Sequence, residues 1–213
     1  MKISVRIALA ISSVLYRLLL SWTVSGREQI PPEGGLIVVA NHVNLTDPVL
    51  LMLAFPRRIT YMAKEELFRY PVLGMLLRDA GMFPVARGGT LEQKRDIMRR
   101  AEALLNRGHV VALFPEGKRS PSGTLLEAKP GAAILSLRTG APLVPVAIEG
   151  AHKIKGRWWW LRRPRVTVTI GPPFHLTAPE GRLVRSESAR LTSDLMCRIA
   201  ALLPYERRGP YAG

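Results

Sequence analysis

His42 and Asp47 stand five residues apart in the segment Asn41-His42-Val43-Asn44-Leu45-Thr46-Asp47-Pro48. Such a pair can do general-base chemistry. An unperturbed imidazole titrates near 6.5 and can take a proton at neutral pH. A carboxylate on its other ring nitrogen fixes the tautomer and stabilises the imidazolium that forms. On a regular helix two side chains five apart diverge by about 140°, so they meet only if the segment between them turns. Pro48 disfavours helix immediately before it, which favours a turn. A second reading makes His42 a loop histidine and Asp47 only a helix cap, and the segment alone does not separate the two.

The flanking elements say where such a pair would sit. The apolar run Leu36-Ile37-Val38-Val39-Ala40 reads as a buried strand. Thr46-Asp47-Pro48 reads as a helix start, with Asp47 at the N-cap and Pro48 at the first helical position. The pair therefore belongs to a strand-to-helix connection at one end of a sheet, a common place for chemistry in α/β proteins.

Three further clusters fall at the ends of expected strands. Arg87 follows Phe83-Pro84-Val85 and precedes two glycines, and an arginine fork suits a phosphate. Phe114-Pro115-Glu116-Gly117-Lys118-Arg119 runs an apolar strand into two cations, as an anion-receiving loop does. There Glu116 is expected to bond a hydroxyl or to order the cations. Val144-Pro145-Val146 carries no chemistry and is expected to shape a pocket wall. His109, His152 and His175 are scattered and read as structural, so no metal site is expected.

Composition narrows the partners. The chain has 213 residues, 47% of them hydrophobic, which suits one globular domain with a sizeable core. A net charge of +15 and a pI near 11.0 favour an anionic partner: nucleic acid, an acidic membrane surface or a phosphorylated small molecule. The single cysteine, Cys197, excludes an intramolecular disulfide and a cysteine-rich zinc site.

Strand and helix signals alternate along the rest of the chain. Strands are expected at 59–63, 82–85, 110–114, 143–148 and 166–170, and helices at 72–80, from the capping box Thr90-x-x-Gln93 to Gly108, and at 132–138 before Gly140. A last helix, capped by Thr177-x-x-Glu180, is expected to end before Pro204, and the tail 205–213 to be frayed. The fold class is α/β: a single domain with a mixed, mostly parallel sheet flanked by helices.

Residues 1–22 form an apolar helix in which Ile3, Ile7, Ile11, Val14, Leu18 and Trp22 recur at helical spacing. The uncharged run from Ile7 to Tyr16 is shorter than the roughly 20 residues that a span needs. Two readings remain: a helix lying in the membrane interface with Trp22 at headgroup level, or one packed on the core. The expected organisation is 1–25 as a membrane-associating helix, 26–204 as the catalytic domain and 205–213 as the tail.

In order and spacing, the four clusters resemble the four motifs of the glycerolipid acyltransferases. They are the His-x-x-x-x-Asp segment, Phe83 to Arg87 (one residue longer than Phe-x-x-Arg), Phe-Pro-Glu-Gly and Val-Pro-Val, with Lys64 and Glu66-Leu67-Phe68 between the first two. The likeness covers about Gly26 to Phe174 and is nearest to 1-acylglycerol-3-phosphate acyltransferases. It implies transfer of an acyl group from acyl-CoA or an acylated carrier protein to a lysophospholipid hydroxyl, with no cofactor. It also implies His42 and Asp47 as the catalytic pair, and Arg87, Glu116, Gly117, Lys118 and Arg119 around the acceptor and its phosphate. Asn41, Lys64, Phe83, Phe114, Pro115 and Pro145 complete the expected pocket. Lys118 stands where members commonly carry a small residue or threonine, which leaves another acceptor, such as a lyso-aminolipid, open.

The residues fit that chemistry independently. A thioester is already activated, and the chain carries no Gly-x-Ser-x-Gly elbow. The expected location is the cytoplasmic face of the cell membrane, held by the first helix and by basic charge on anionic lipid. Arg157-Trp158-Trp159-Trp160, followed by Arg162 and Arg163, also mixes cations with stacking aromatics as nucleic-acid binders do. The same run suits a membrane interface, and no nucleic acid is expected.

Overall fold

A computed structural model describes residues 2–85, 88–177 and 184–212. Seven strands form one sheet in the order β1-β7-β6-β2-β5-β3-β4. In chain order they are β1 (Ser21–Ser25), β2 (Leu36–Ala40), β3 (Ile59–Lys64), β4 (Phe83–Val85), β5 (Val110–Leu113), β6 (Leu143–Glu149) and β7 (Arg165–Ile170). Among the described residues, β6–β7 is the one antiparallel pairing between named strands. The expected mixed, mostly parallel α/β sheet is therefore present.

Strand side chains alternate between two cores. Leu36, Val38, Ala40, Val110, Ala112, Val144 and Val146 face one side, where α1 (Ile3–Leu19), α2 (Asp47–Ala54) and α3 (Pro71–Asp79) cover them. Ile37, Val39, Val111, Leu113, Leu143 and Ala147 face the other, under α4 (Leu91–Asn106), α5 (Gly131–Thr139) and α6 (Arg185–Ala201). All five residues of β2 are fully buried, as its unbroken apolar run requires at the centre of a sheet covered on both faces. α4 opens on the expected capping box, Thr90 bonding the Gln93 N–H and Gln93 bonding the Thr90 N–H.

Four boundaries differ from the sequence reading. The first helix ends at Leu19, and Ser21–Ser25 pair with β7 as an edge strand, so Trp22 sits half-buried in the sheet rather than at a helix end. Residues 21–25 thus join the sheet and not the N-terminal helix. Asp47 is the first helical residue of α2, behind Thr46. The last helix opens at Arg185, where Glu187 reaches back to the Val184 N–H; the expected cap partner Glu180 lies outside the described residues. The tail is packed, not frayed: Leu125 N–H donates to the Arg207 carbonyl, Arg207 donates to the Ser122 carbonyl and Ala128 N–H donates to the Tyr211 hydroxyl.

α1 has one face packed on the core and one face exposed. Val5 is buried and Leu9 and Tyr16 pack on the core, while Ile3, Ile7, Ile11, Val14 and Leu18 are each more than half exposed. Its N-terminus is tied to α3 by Lys2 and Ser4, both bonded to the Asp79 carboxylate at 2.7 Å. Among the described residues no helix is long and apolar enough to cross a membrane.

Candidate active site

β2, β3, β4, β5 and β6 all run toward one end of the sheet, and the chain leaving β2 there carries Asn41 and His42. Asn41 fixes the departure. Its amide donates to the Ile148 carbonyl at 2.9 Å and accepts the Ile148 N–H at 2.7 Å, copying a strand rung onto β6. The next five residues, His42 to Thr46, are non-helical. Asn44 holds the bend with its side-chain oxygen on the Thr46 N–H, an Asx-turn, and its amide on the Ile154 carbonyl.

The bend brings the pair together. His42 Nδ1 lies 2.8 Å from Asp47 Oδ2. The same oxygen accepts the Val43 and Asn44 N–H groups, each at 2.7 Å, while Asp47 Oδ1 is buried without a partner. Asp47 is fully buried, so its carboxylate is immobilised by three donors and by its place at the start of α2. A carboxylate can only accept here, so the Nδ1 proton of His42 faces Asp47 and the Nε2 lone pair is left outward. The imidazole retains a small exposed fraction, 18% of its side chain, and is stacked on Phe114 at 4.2 Å between ring centroids. Phe114 is stacked in turn on Tyr61, whose hydroxyl donates to the Pro48 carbonyl in the first turn of α2. Burial raises the Tyr61 phenol well above its ordinary range, and the charge of Asp47 adds to this. Tyr16 of α1 is pushed up to about 12, first by burial and then by the same carboxylate.

The backbone of His42 is clamped on both sides. Its N–H donates to Glu116 Oε1 at 2.9 Å, and its carbonyl accepts the Ser120 N–H at 2.7 Å. Glu116 Oε2 accepts the Leu126 N–H at 3.0 Å, so both carboxylate oxygens are engaged by backbone N–H groups. Glu116 is buried at 2% exposure, and burial pushes its carboxyl up while the two N–H donors pull it back. This differs from the expectation of a carboxylate free to bond a substrate hydroxyl. The turn after Pro115 brings the glutamate back under the strand it follows, with Gly117 at φ 66°.

Gly117, Lys118 and Arg119 are exposed beside this clamp, with Pro115 buried beneath them. The Lys129 side chain lies against Gly117, and a methyl group at Gly117 would sit 3.1 Å from its ammonium. Lys129 is a cation that the sequence reading did not select; its N–H bonds the Pro115 carbonyl, which fixes it to the loop. Lys64 ends β3 and is paired with Glu66 at 2.7 Å. Phe83 is buried in β4, separated from β2 by β5 and β3. Pro145 sits inside β6 opposite Val39, with its ring against Gly171 on the face covered by α6. Arg87 lies outside the described residues; the strand that precedes it, β4, ends at the same end of the sheet as β2.

The sequence reading missed Ser120, Asn44 and Tyr61. Asn44 had a local signal, since Asn two residues before Thr46 fits an Asx-turn. Ser120 and Tyr61 act through a backbone bond and a stacked ring across the fold, which local sequence does not announce.

A histidine held by a buried aspartate at the end of a parallel sheet is compatible with several hydrolytic and transfer reactions. Comparison with known proteins narrows the choice. The family model described as Acyltransferase matches residues 21–149. A 1-acyl-sn-glycerol-3-phosphate acyltransferase of Bacillus subtilis is 32% identical over 182 residues, covering 84% of this chain and 86% of that protein. The chain belongs to the acyltransferase family. A chloroplastic 1-acyl-sn-glycerol-3-phosphate acyltransferase of Brassica napus is 30% identical over 178 residues, and the chain spans about half, 51%, of its length. The crystal structure of the 1-acyl-sn-glycerophosphate acyltransferase from Thermotoga maritima superposes with a TM-score of 0.69 at 25% identity, covering 93% of this chain and 78% of that one. The family match begins at Ser21, the first residue of β1, and contains both His42 and the Glu116 loop.

Proposed function

We propose that the chain transfers a fatty acyl group from a thioester donor, acyl-CoA or acyl-carrier protein, to the free hydroxyl of 1-acylglycerol-3-phosphate. The observation that carries this reading is the 2.8 Å bond from His42 to a fully buried Asp47, in a chain of the acyltransferase family. His42 Nε2 takes the proton of the acceptor hydroxyl as that oxygen attacks the thioester carbonyl. The tetrahedral species then collapses, the C–S bond breaks, and the imidazolium returns its proton to the leaving thiolate. Asp47 stabilises the imidazolium without itself taking the proton. Glu116 and Ser120 act as positioning residues that hold the His42 backbone, and Phe114 supports the ring.

Arg87, Lys118, Arg119 and Lys129 are the cations proposed to meet the acceptor phosphate. The exposed apolar stripe of α1 is proposed to lie in the cytoplasmic leaflet, where acceptor and product both reside, without crossing it. The test is a turnover assay with His42→Ala, matched to the parent chain by circular dichroism. Loss of a positioned general base should lower kcat by roughly 10²–10⁴-fold. Full turnover in a folded variant would remove His42 from the mechanism.

A further inference from the structure

Arginines 17, 27 and 163 come from three separate places in the chain and line one cleft of about 430 Å³ beside the edge strand β1. Trp22 and Val24 form its apolar wall, and no carboxylate lines it. Among the described residues, none of the three arginines is in an ion pair with an acidic side chain. Two of them are aimed by backbone carbonyls. Arg27 donates Nε to the Ala54 carbonyl at 2.8 Å and Nη2 to that of Leu53 at 3.1 Å, at the C-terminal end of α2. Arg163 donates to the Arg17 carbonyl in the last turn of α1. Arg163 is also the one non-glycine residue with positive φ, 40°, among the described residues. A guanidinium has five N–H donors, so most of the donors in this cleft remain unspent.

The surroundings say what such donors would meet. Leu18 is exposed beside Arg17 at the end of the apolar stripe of α1, and Trp158, Trp160 and Leu161 are exposed just before Arg163. The cleft is therefore a cationic notch between two apolar surfaces. Tryptophan beside arginine marks the headgroup level of a bilayer, with apolar side chains below and phosphates alongside.

We propose that this cleft binds the phosphate of an anionic membrane phospholipid, at a site separate from the one that holds the acceptor. It rests on the reading that the α1 stripe lies in the leaflet, and it gives the enzyme a second contact that sets its orientation on the surface. The phosphate would take the free donors of Arg17, Arg27 and Arg163 while Trp22 meets the glycerol region.

The experiment is co-sedimentation of the full chain with phosphatidylcholine vesicles, with and without phosphatidylglycerol, at fixed ionic strength. Phosphatidylglycerol is neither substrate nor product of the proposed reaction. The double variant Arg17→Gln/Arg163→Asn removes two charges, and asparagine tolerates the left-handed backbone at position 163. It should bind phosphatidylglycerol vesicles about thirtyfold more weakly, the equivalent of about 2 kcal/mol. Arg17→Gln alone, whose side chain makes no bond within the described residues, should lose about fivefold. The matched pair Arg95→Gln/Arg100→Gln on α4, which covers the opposite face of the sheet, should change binding by less than about twofold.

Equal losses for the two pairs would reduce the effect to net charge and overturn the site. Inorganic phosphate that competes as well as soluble dihexanoyl phosphatidylglycerol would show a free-anion site and overturn the lipid assignment. So would retention of a single-stranded RNA that the double variant alone loses. No acyl donor is present, so a chain that behaved as expected here yet failed to acylate lysophosphatidate would refute only the reading of the reaction.

Discussion

Replacing Glu116 by glutamine separates a positioning role from a substrate-binding one. Two backbone N–H groups, those of His42 and Leu126, each face one oxygen of this buried carboxylate, at 2.9 and 3.0 Å. Glutamine keeps one acceptor and turns an NH₂ toward the other donor. One bond to a charged group is lost, at about 1.5–3 kcal/mol. In a domain of this size about 2 kcal/mol lowers Tm by about 4–8 °C. The backbone of His42 then loses the restraint on one side while the Ser120 bond remains. A misplacement near 1 Å costs roughly 10²-fold in rate, so kcat should fall between about tenfold and a hundredfold. The KM for the lysophospholipid should stay within about twofold, because no glutamate oxygen is free to touch it. Differential scanning calorimetry and initial rates across acceptor concentration measure both. An unchanged Tm with a raised acceptor KM would refute the argument and return Glu116 to the acceptor site.

Three other outcomes follow from the same structure. Asn41→Ala leaves the buried Ile148 N–H and carbonyl unpaired, at about 1–3 kcal/mol each; calorimetry showing a loss under 1 kcal/mol would contradict the rung that Asn41 supplies. His152 is held below the ordinary imidazole value of 6.5, by burial first and then by Arg207, Lys153 and Lys155. The unfolded chain therefore binds more protons than the folded one between the two pKa values, and this contribution is full above pH 6.5 and is lost as pH falls through the lower folded value. Glu149 faces the same arginine, with the charge of Glu206 acting on Glu149, so the check is His152→Gln, which should flatten the acid limb of a Tm-against-pH curve; an identical slope would exclude His152 as its source. Changing Ile7, Ile11, Val14 and Leu18 together to glutamine removes apolar contact worth about 3 kcal/mol, or about a hundredfold in vesicle partition at high salt, with the buried face of α1 untouched; partition unaffected by the change would show that the stripe does not enter lipid.

The parts of the fold that could be read from sequence are those whose signals are local. β2 announces itself as five apolar residues and α4 through its capping box, while Pro48 favours a turn that lets His42 meet Asp47 without deciding that they do. β1 was hidden because its five residues adjoin an apolar helix, although Trp22 and Val24 alternate with polar neighbours. The face that Pro145 takes was not legible, because a motif gives proximity in sequence without saying which face of a strand a residue occupies. Glu116 shows the opposite failure. Its motif marks it out, but only the turn through Gly117 reveals that the carboxylate points back to the main chain of His42.

Residues 21–25 find their strand partner at 165–169, near the far end of the sequence. β1 is synthesised well before β7, with β2 to β6 and the helices α2 to α5 in between. Until β7 exists, β1 has no strand to pair with, whereas α2 and α3, on which α1 packs, are already made. Closure along the β1 edge therefore waits on a pairing of high sequence separation, whose loop-closure entropy is met only after the rest of the sheet has formed.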